Sequence, residues 1–284
     1  MTDAGPARQM SNLQLRVISS VVLIVAVLAV TWLGGVAFRI LSAAIAGAMF
    51  YEWCAMSRSA AGPVGASRHQ LVAAALLGVV LLALILGYSA AGVLVLLALS
   101  VLASLLDCKI GGQGSWAPAG LAYAGLSGVS LAWLRDGDQA GLLAVLFLFA
   151  VVWATDIAAY FVGRSLGGPK LAPSISPGKT QSGAIGGAIG GVVAGVALAA
   201  FAGLGNLPLL AVVAFLLSIV SQVGDLFESW VKRRHGVKDS GALIPGHGGV
   251  MDRVDGLVAA AFALYAIGLM LGSADKPAQA LFAV

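Results

Sequence analysis

The chain has 284 residues, of which 60% are hydrophobic and only 10% charged, against about 25% charged in ordinary soluble domains. With a mean hydropathy of +0.99, a water-soluble globule is excluded, because too few polar residues exist to cover its surface. The net charge of +4 comes without basic runs interleaved with aromatics; that excludes nucleic acid as a partner and leaves anionic lipid or nucleotide phosphate to meet the excess.

A bilayer core of about 30 Å needs roughly 20 apolar residues of helix. Nine runs of that kind follow one another at about 17–33, 36–56, 70–88, 91–106, 118–134, 142–163, 183–204, 207–224 and 254–272. None alternates as a membrane-spanning strand would. The first run follows Arg8 and Arg16 and has no cleavage signal behind it, so it reads as a transmembrane helix rather than a removed leader. The expected fold is therefore an all-α polytopic membrane protein with about nine transmembrane helices. About five lie in 1–140. A catalytic region follows in 141–284, with cytoplasmic loops at 164–182 and 225–253. The termini, 1–12 and 275–284, are expected to be disordered.

Basic residues orient the map. With the N-terminus in the cytoplasm, 13 of the 16 Lys and Arg residues fall on the cytoplasmic side. Arg135 and Lys276 fall opposite, and Arg39 lies early in the second run. The positive-inside rule thus places the C-terminus outside. The expected location is the cell's inner membrane, with the active site facing the cytoplasm. Cys54 and Cys108 form no CxxC and no cluster with His, which argues against zinc and against a disulfide framework.

Polar residues inside the runs come next in chain order. Glu52, near the end of the second run, either reaches the interface or serves the site. Asp156 lies within the sixth run, where a lipid-facing acid is costly and a functional one is the default. Between Arg164 and Ser182, a polar loop carries Ser176, Lys179 and Thr180. A P-loop would need Gly where Pro173 stands and a strand before it, so that motif is rejected. Lys and hydroxyl groups there suit a polyphosphate or, equally, lipid headgroups. Gly183, Gly187, Gly191 and Gly195 make a small-xxx-small face for close helix packing. The tryptophans fall mostly near run ends, as interface anchors do.

Half of the charge lies late in the chain. Fourteen of the 28 charged residues fall between Asp156 and Asp255, and ten between Asp225 and Asp255. Ten charges cannot occupy a lipid-facing span, so the stretch reads as a cytoplasmic segment. Asp225 and Glu228 stand at i and i+3, and Asp252 and Asp255 repeat that spacing. The four could converge on a hard cation, since Mg²⁺ takes one or two protein carboxylates and fills its shell with water and phosphate. Equally, they could pair with Lys232, Arg233 and Arg253. The glycines of Pro245-Gly246-His247-Gly248-Gly249 would let backbone N–H groups approach phosphate, or simply connect two helices.

From Ser229 to Asp255 the sequence runs S-x-x-K-R, then Lys238-Asp239, then P-G-H-G-G, then D-R-V-D. It resembles the signature of the phosphatidate cytidylyltransferases, or CDP-diacylglycerol synthases. Asp156 to Arg164, Ser176 to Thr180 and Gly224 to Ser229 are similar to that family as well; in the first half only Tyr51-Glu52 and the helix layout are. Two positions depart: Gly178 stands where the family often has Lys, and Ser182 where it often has Glu. The resemblance implies transfer of the cytidylyl group of CTP to phosphatidic acid, with Mg²⁺ in a centre of one or two cations. It implies Asp225, Asp252, Glu228, Asp255 and Asp156 as metal ligands. Asp225, Asp252, Asp255, Lys238, Arg253 and His247 would be catalytic. Ser176, Lys179, Thr180, Lys232, Arg233, Asp239, Gly248 and Gly249 would bind substrate. The partners implied are CTP, phosphatidic acid and membrane lipid, with room for a homodimer. A CTP-dependent lipid kinase and a membrane transporter are the alternatives.

Overall fold

The computed structural model describes residues 12–61, 67–137, 139–244 and 248–283. Each apolar run is a helix: α1 (Asn12–Leu33), α2 (Gly35–Ala61), α3 (Arg68–Leu86), α4 (Ala90–Ile110), α5 (Trp116–Arg135), α6 (Gln139–Leu166), α7 (Gln181–Phe201), α8 (Leu207–Arg234) and α9 (Met251–Leu271). Eight of these, α2 to α9, are long and apolar enough among the described residues to cross a membrane. In α1 the described apolar stretch, Ser19–Leu33, is shorter. Local chemistry sets several ends. Ser67 and Gln70 form a capping box at the start of α3, and Gly87 closes it in the left-handed conformation at φ +79°. Asn206 caps α8, with Pro208 in its first turn.

Hydrogen bonds and ion pairs sort the connections into two ends of the bundle. At one end, Arg135 donates to the carbonyls of Thr31 and Trp32 at the end of α1. There too Arg39 pairs with Asp136 at 2.8 Å, and Asp275 accepts from Ala90 N at the start of α4. At the other end, Trp53 of α2 stacks on Trp116 of α5 at 4.2 Å, Trp116 meets His235 beyond α8, and His69 pairs with Asp107. The site lies at this second end.

Four expectations are corrected. The stretch 225–253 is not a loop throughout: Asp225 to Arg234 forms the last turns of α8, and Met251 to Arg253 opens α9. At 28 residues and about 1.5 Å per residue, α8 outruns a hydrocarbon core of about 30 Å. Its charged turns can therefore stand beyond the hydrocarbon without breaking the helix. Segment 164–182 is not a plain loop either. After α6 it forms an antiparallel hairpin, β1 (Lys170–Ala172) and β2 (Ser176–Thr180), with Lys170 opposite Thr180 and Ala172 opposite Ser176. The described C-terminal residues, up to Ala283, are ordered, with a short helix α10 (Gln279–Phe282) whose buried Phe282 packs edge-on against Phe147 of α6, while 1–11 and 284 lie outside the described residues. Finally, Trp53 and Trp133 are buried in the core rather than placed as interface anchors.

The glycine face of α7 works as its spacing predicts. A Cβ on Gly183 would stand 2.8 Å from the carbonyl oxygen of Ala159, and one on Gly187 2.9 Å from that of Thr155. Backbone oxygens cannot yield, so α6 and α7 approach this closely only through glycine. One hydrophobic core runs through both halves of the chain, with α2 and α5 packing against α9.

Candidate active site

The end of α8 and the start of α9 lie side by side and carry the signature residues. Asp225, Glu228 and Lys232 share one face of α8. Lys232 Nζ lies 2.7 Å from Asp252 Oδ1 and 3.5 Å from Glu228 Oε1. The other oxygen of Asp252 accepts from Ser240 N and from Gly249 N, both at 3.0 Å. Asp252 is therefore bonded on both oxygens. Gly249 gives its amide to a protein carboxylate, which serves the connector reading of the glycine loop rather than an approach of that amide to phosphate. Asp255 accepts from Gly256 N at 2.7 Å.

Around these groups a cavity of about 380 Å³ is lined by Asp156, Asp225, Lys232, Asp239, Asp252, Arg253 and Asp255. Three helices and the segment after α8 thus bring five aspartates and two cations to one polar pocket. Asp156 and Asp225 also line a second cavity of about 760 Å³ between α6, the hairpin and α7, so the two spaces meet at that wall. The second cavity has Tyr160, Arg164, Lys170, Lys179, Thr180 and Gln222 on its sides, with Gly163, Gly178 and Gly183 leaving it wide.

The hairpin is held at both ends. Lys179 pairs with Asp225 across the wall, and Arg233 Nε reaches the Ile175 carbonyl at 3.4 Å. Thr180 caps α7 by accepting from Gly183 N at 3.1 Å. Lys179 and Thr180 thus stand at a strand-to-helix junction, but the threonine hydroxyl serves the helix. Ser182, where the family often has Glu, bonds Thr180 and the Gly167 carbonyl.

The remaining expected residues divide. Ser176 sits in the hairpin opposite Ala172, and Lys238 is exposed; neither lines the two cavities. Arg233 is exposed on the outer face of α8 and also donates to the Val237 carbonyl. Gly248, at φ +86°, takes a conformation open to glycine, and its carbonyl accepts from Ile244 N. Pro245, Gly246 and His247 lie outside the described residues.

Glu228 does not line the pocket but lies buried beside its Asp255 and Lys232. Both of its oxygens are buried with no hydrogen-bond donor among the described residues, and the side chain is 0% exposed. An acid so placed, beside Asp255 and 3.5 Å from Lys232, calls for a proton or for positive charge nearby. Among the described residues no three His, Cys, Asp or Glu side chains converge as a complete ligand set. The pocket therefore fits a cation of the Mg²⁺ kind, held by one or two carboxylates and completed by water and phosphate. Among the described residues it offers no cage of protein ligands alone.

Sequence reasoning left Glu52 between two readings and missed its partners. Its carboxylate is fully buried and accepts from Ser240 Oγ at 3.0 Å and from the Val250 and Met251 amides at 2.8 Å. Tyr51-Glu52 in the resemblance was the available signal. His235 lines neither cavity. It packs on Trp116, and burial, aided by Arg234, holds its pKa below the usual imidazole value.

Comparison with known families adds a match to the model described as "Cytidylyltransferase family" over residues 14–271. The chain belongs to that family. The phosphatidate cytidylyltransferase of Brucella suis is 50% identical over 273 residues, covering 96% of this chain and 99% of that protein. The one from Brucella abortus is 50% identical over 266 residues, 94% of this chain and 97% of its own length. The Bacillus subtilis phosphatidate cytidylyltransferase is 37% identical over 126 residues, 43% of this chain and 46% of that one. This membrane-embedded cytidylyltransferase thus resembles relatives of that name along nearly its whole length.

Proposed function

We propose that the chain transfers the cytidylyl group of CTP to phosphatidic acid, giving CDP-diacylglycerol and pyrophosphate for phospholipid synthesis. The observation that carries this reading is the near full-length match to phosphatidate cytidylyltransferases. The geometry agrees with it: two adjoining cavities at one end of a membrane bundle, one rich in Asp and one rich in Lys and Arg.

An oxygen of the lipid phosphate attacks the α-phosphorus of CTP. The new P–O bond forms as the bond from that phosphorus to the bridging oxygen of the β-phosphate breaks, and pyrophosphate leaves. A phosphate monoester is already largely ionised near neutral pH, so no strong general base is required. The work is positioning and charge neutralisation. Arg164, Lys170 and Lys179 offer donors in the larger cavity. Lys232 and Arg253 offer them in the smaller one. Lys179 and Asp225, paired across the wall, would be free to bind a phosphate and a cation respectively only on parting. Asp225, Asp255 and Asp156, on the shared wall and the smaller cavity, would hold Mg²⁺, with Glu228 buried behind them. When bound, Mg²⁺ neutralises phosphate charge and the departing pyrophosphate. Asp252, bonded to Lys232 and two amides, organises the loop. The site faces the cytoplasm, where CTP is found, and the acyl chains of the lipid substrate stay in the surrounding membrane.

Purified protein in detergent, given CTP, phosphatidic acid and Mg²⁺, should form CDP-diacylglycerol and pyrophosphate in equal amounts. Omitting either substrate should abolish both products. Pyrophosphate released without phosphatidic acid, or no cytidylylated lipid, would contradict the assignment.

A further inference from the structure

Glu52 belongs to α2, yet its three hydrogen bonds come from residues 240, 250 and 251. Ser240 is shared: its hydroxyl goes to Glu52 and its amide to Asp252. Two carboxylates therefore grip the segment between α8 and α9 from two directions. Glycine makes the grip possible. A Cβ on Gly241 or on Gly249 would stand 2.7 Å from a Glu52 oxygen. The amides of Val250 and Met251 belong to the first turn of α9, whose N–H groups have no partner within the helix. A carboxylate there also meets the positive end of the helix dipole. Glu52 is held in turn by its neighbour Trp53, whose Nε1 donates to the Trp116 carbonyl at 2.9 Å while Trp116 Nε1 donates back to the Trp53 carbonyl at 3.2 Å.

Asp252 and Arg253 sit in the turn that Glu52 caps, Asp255 opens the next, and all three line the smaller cavity. Glu52 itself does not line it. We infer that Glu52 is a positioning residue for the transfer reaction, holding the first turn of α9 in register so that Asp252 meets Lys232 and Arg253 and Asp255 face the substrates. This rests on the cytidylyl-transfer reading. Among the described residues the three groups bonded to Glu52 are all donors, which suits a group that only accepts. Glutamine would turn an NH₂ toward at least one N–H or O–H.

The test is Glu52→Gln purified in detergent and assayed with CTP and phosphatidic acid below its melting temperature. The expected result is a kcat about 10- to 100-fold lower with both KM values within about threefold. Hydrogen–deuterium exchange should rise in 240–255 and stay unchanged in α6 and α7. Ser240→Ala, which removes one of the three donors, should give a smaller kcat loss of the same kind. It decides the matter if Glu52→Gln does not fold. Wild-type kcat in either variant, or a loss that follows the unfolded fraction with exchange rising through every helix, overturns the inference. Exchange needs no turnover. An inactive wild-type protein would thus contradict the transfer reading, while the exchange pattern would still decide the clamp.

Discussion

Asp225 and Asp252 have the same side chain and different surroundings, so the same substitution has different consequences at each. Asp225 is about one-third exposed, pairs with Lys179 and lines both cavities. Asp225→Asn keeps the shape and removes the charge; turnover should fall at least about 100-fold with the thermal midpoint nearly unchanged. Asp252 is 9% exposed and holds Lys232 and two backbone amides. Asp252→Asn leaves Lys232 with an incomplete partner, so activity should be lost together with about 3 kcal/mol of stability. Parallel activity and thermal-denaturation measurements distinguish the two; equal destabilisation by both would contradict these roles. The i, i+3 spacing of the acids was legible because it needs only residue types. The amides of Ser240 and Gly249 were not, since a backbone donor has no signature of its own. Nor were the partners of Glu52, which begin 188 residues later.

At the scale of elements, close contact and open space predict opposite outcomes for two glycines. Gly187 faces the Thr155 carbonyl. Gly187→Val should force α6 and α7 apart and lower the thermal midpoint by several degrees, with lower yield. A Cβ on Gly178 meets nothing within 4 Å, and the residue lines the larger cavity. Gly178→Lys, the residue the family often has there, should fold normally and lower the KM for an anionic substrate, more strongly at low salt. A lowered midpoint in Gly178→Lys or an unchanged one in Gly187→Val would contradict this packing. Helices α1 to α9 were legible as apolar runs, and among the described residues α2 to α9 are long and apolar enough to cross a membrane. The end of α8 was not, because hydropathy falls at Gly224 while the backbone ladder continues to Arg234. Its last turn carries Lys232, Arg233 and Arg234, which suit a helix C-terminus. The hairpin escaped because three and five residues are too few to display alternation.

For the whole molecule, the contacts collect the signature segment, the hairpin and Glu52 at one end and Arg135, Asp136 and Asp275 at the other. On the proposed orientation, the 13-to-2 division of basic residues would put the first end in the cytoplasm. Single cysteines at the exposed Ser174 and Ala242 should be shielded in intact cells from impermeant thiol reagents. One at exposed Gln279 should be labelled. The native Cys54 and Cys108 are buried and would be replaced beforehand. Labelling of Ala242→Cys but not Gln279→Cys would mean the reverse orientation. Above topology stands the question of which phosphorus is attacked, because the pocket's Asp, Lys and Arg residues would serve transfer of either end of a nucleoside triphosphate. The most direct measurement supplies phosphatidic acid and CTP labelled at the α- or γ-phosphate to the purified protein. The α label is expected to enter the lipid and the γ label to leave as pyrophosphate. Lipid carrying γ label, with CDP released, would contradict this.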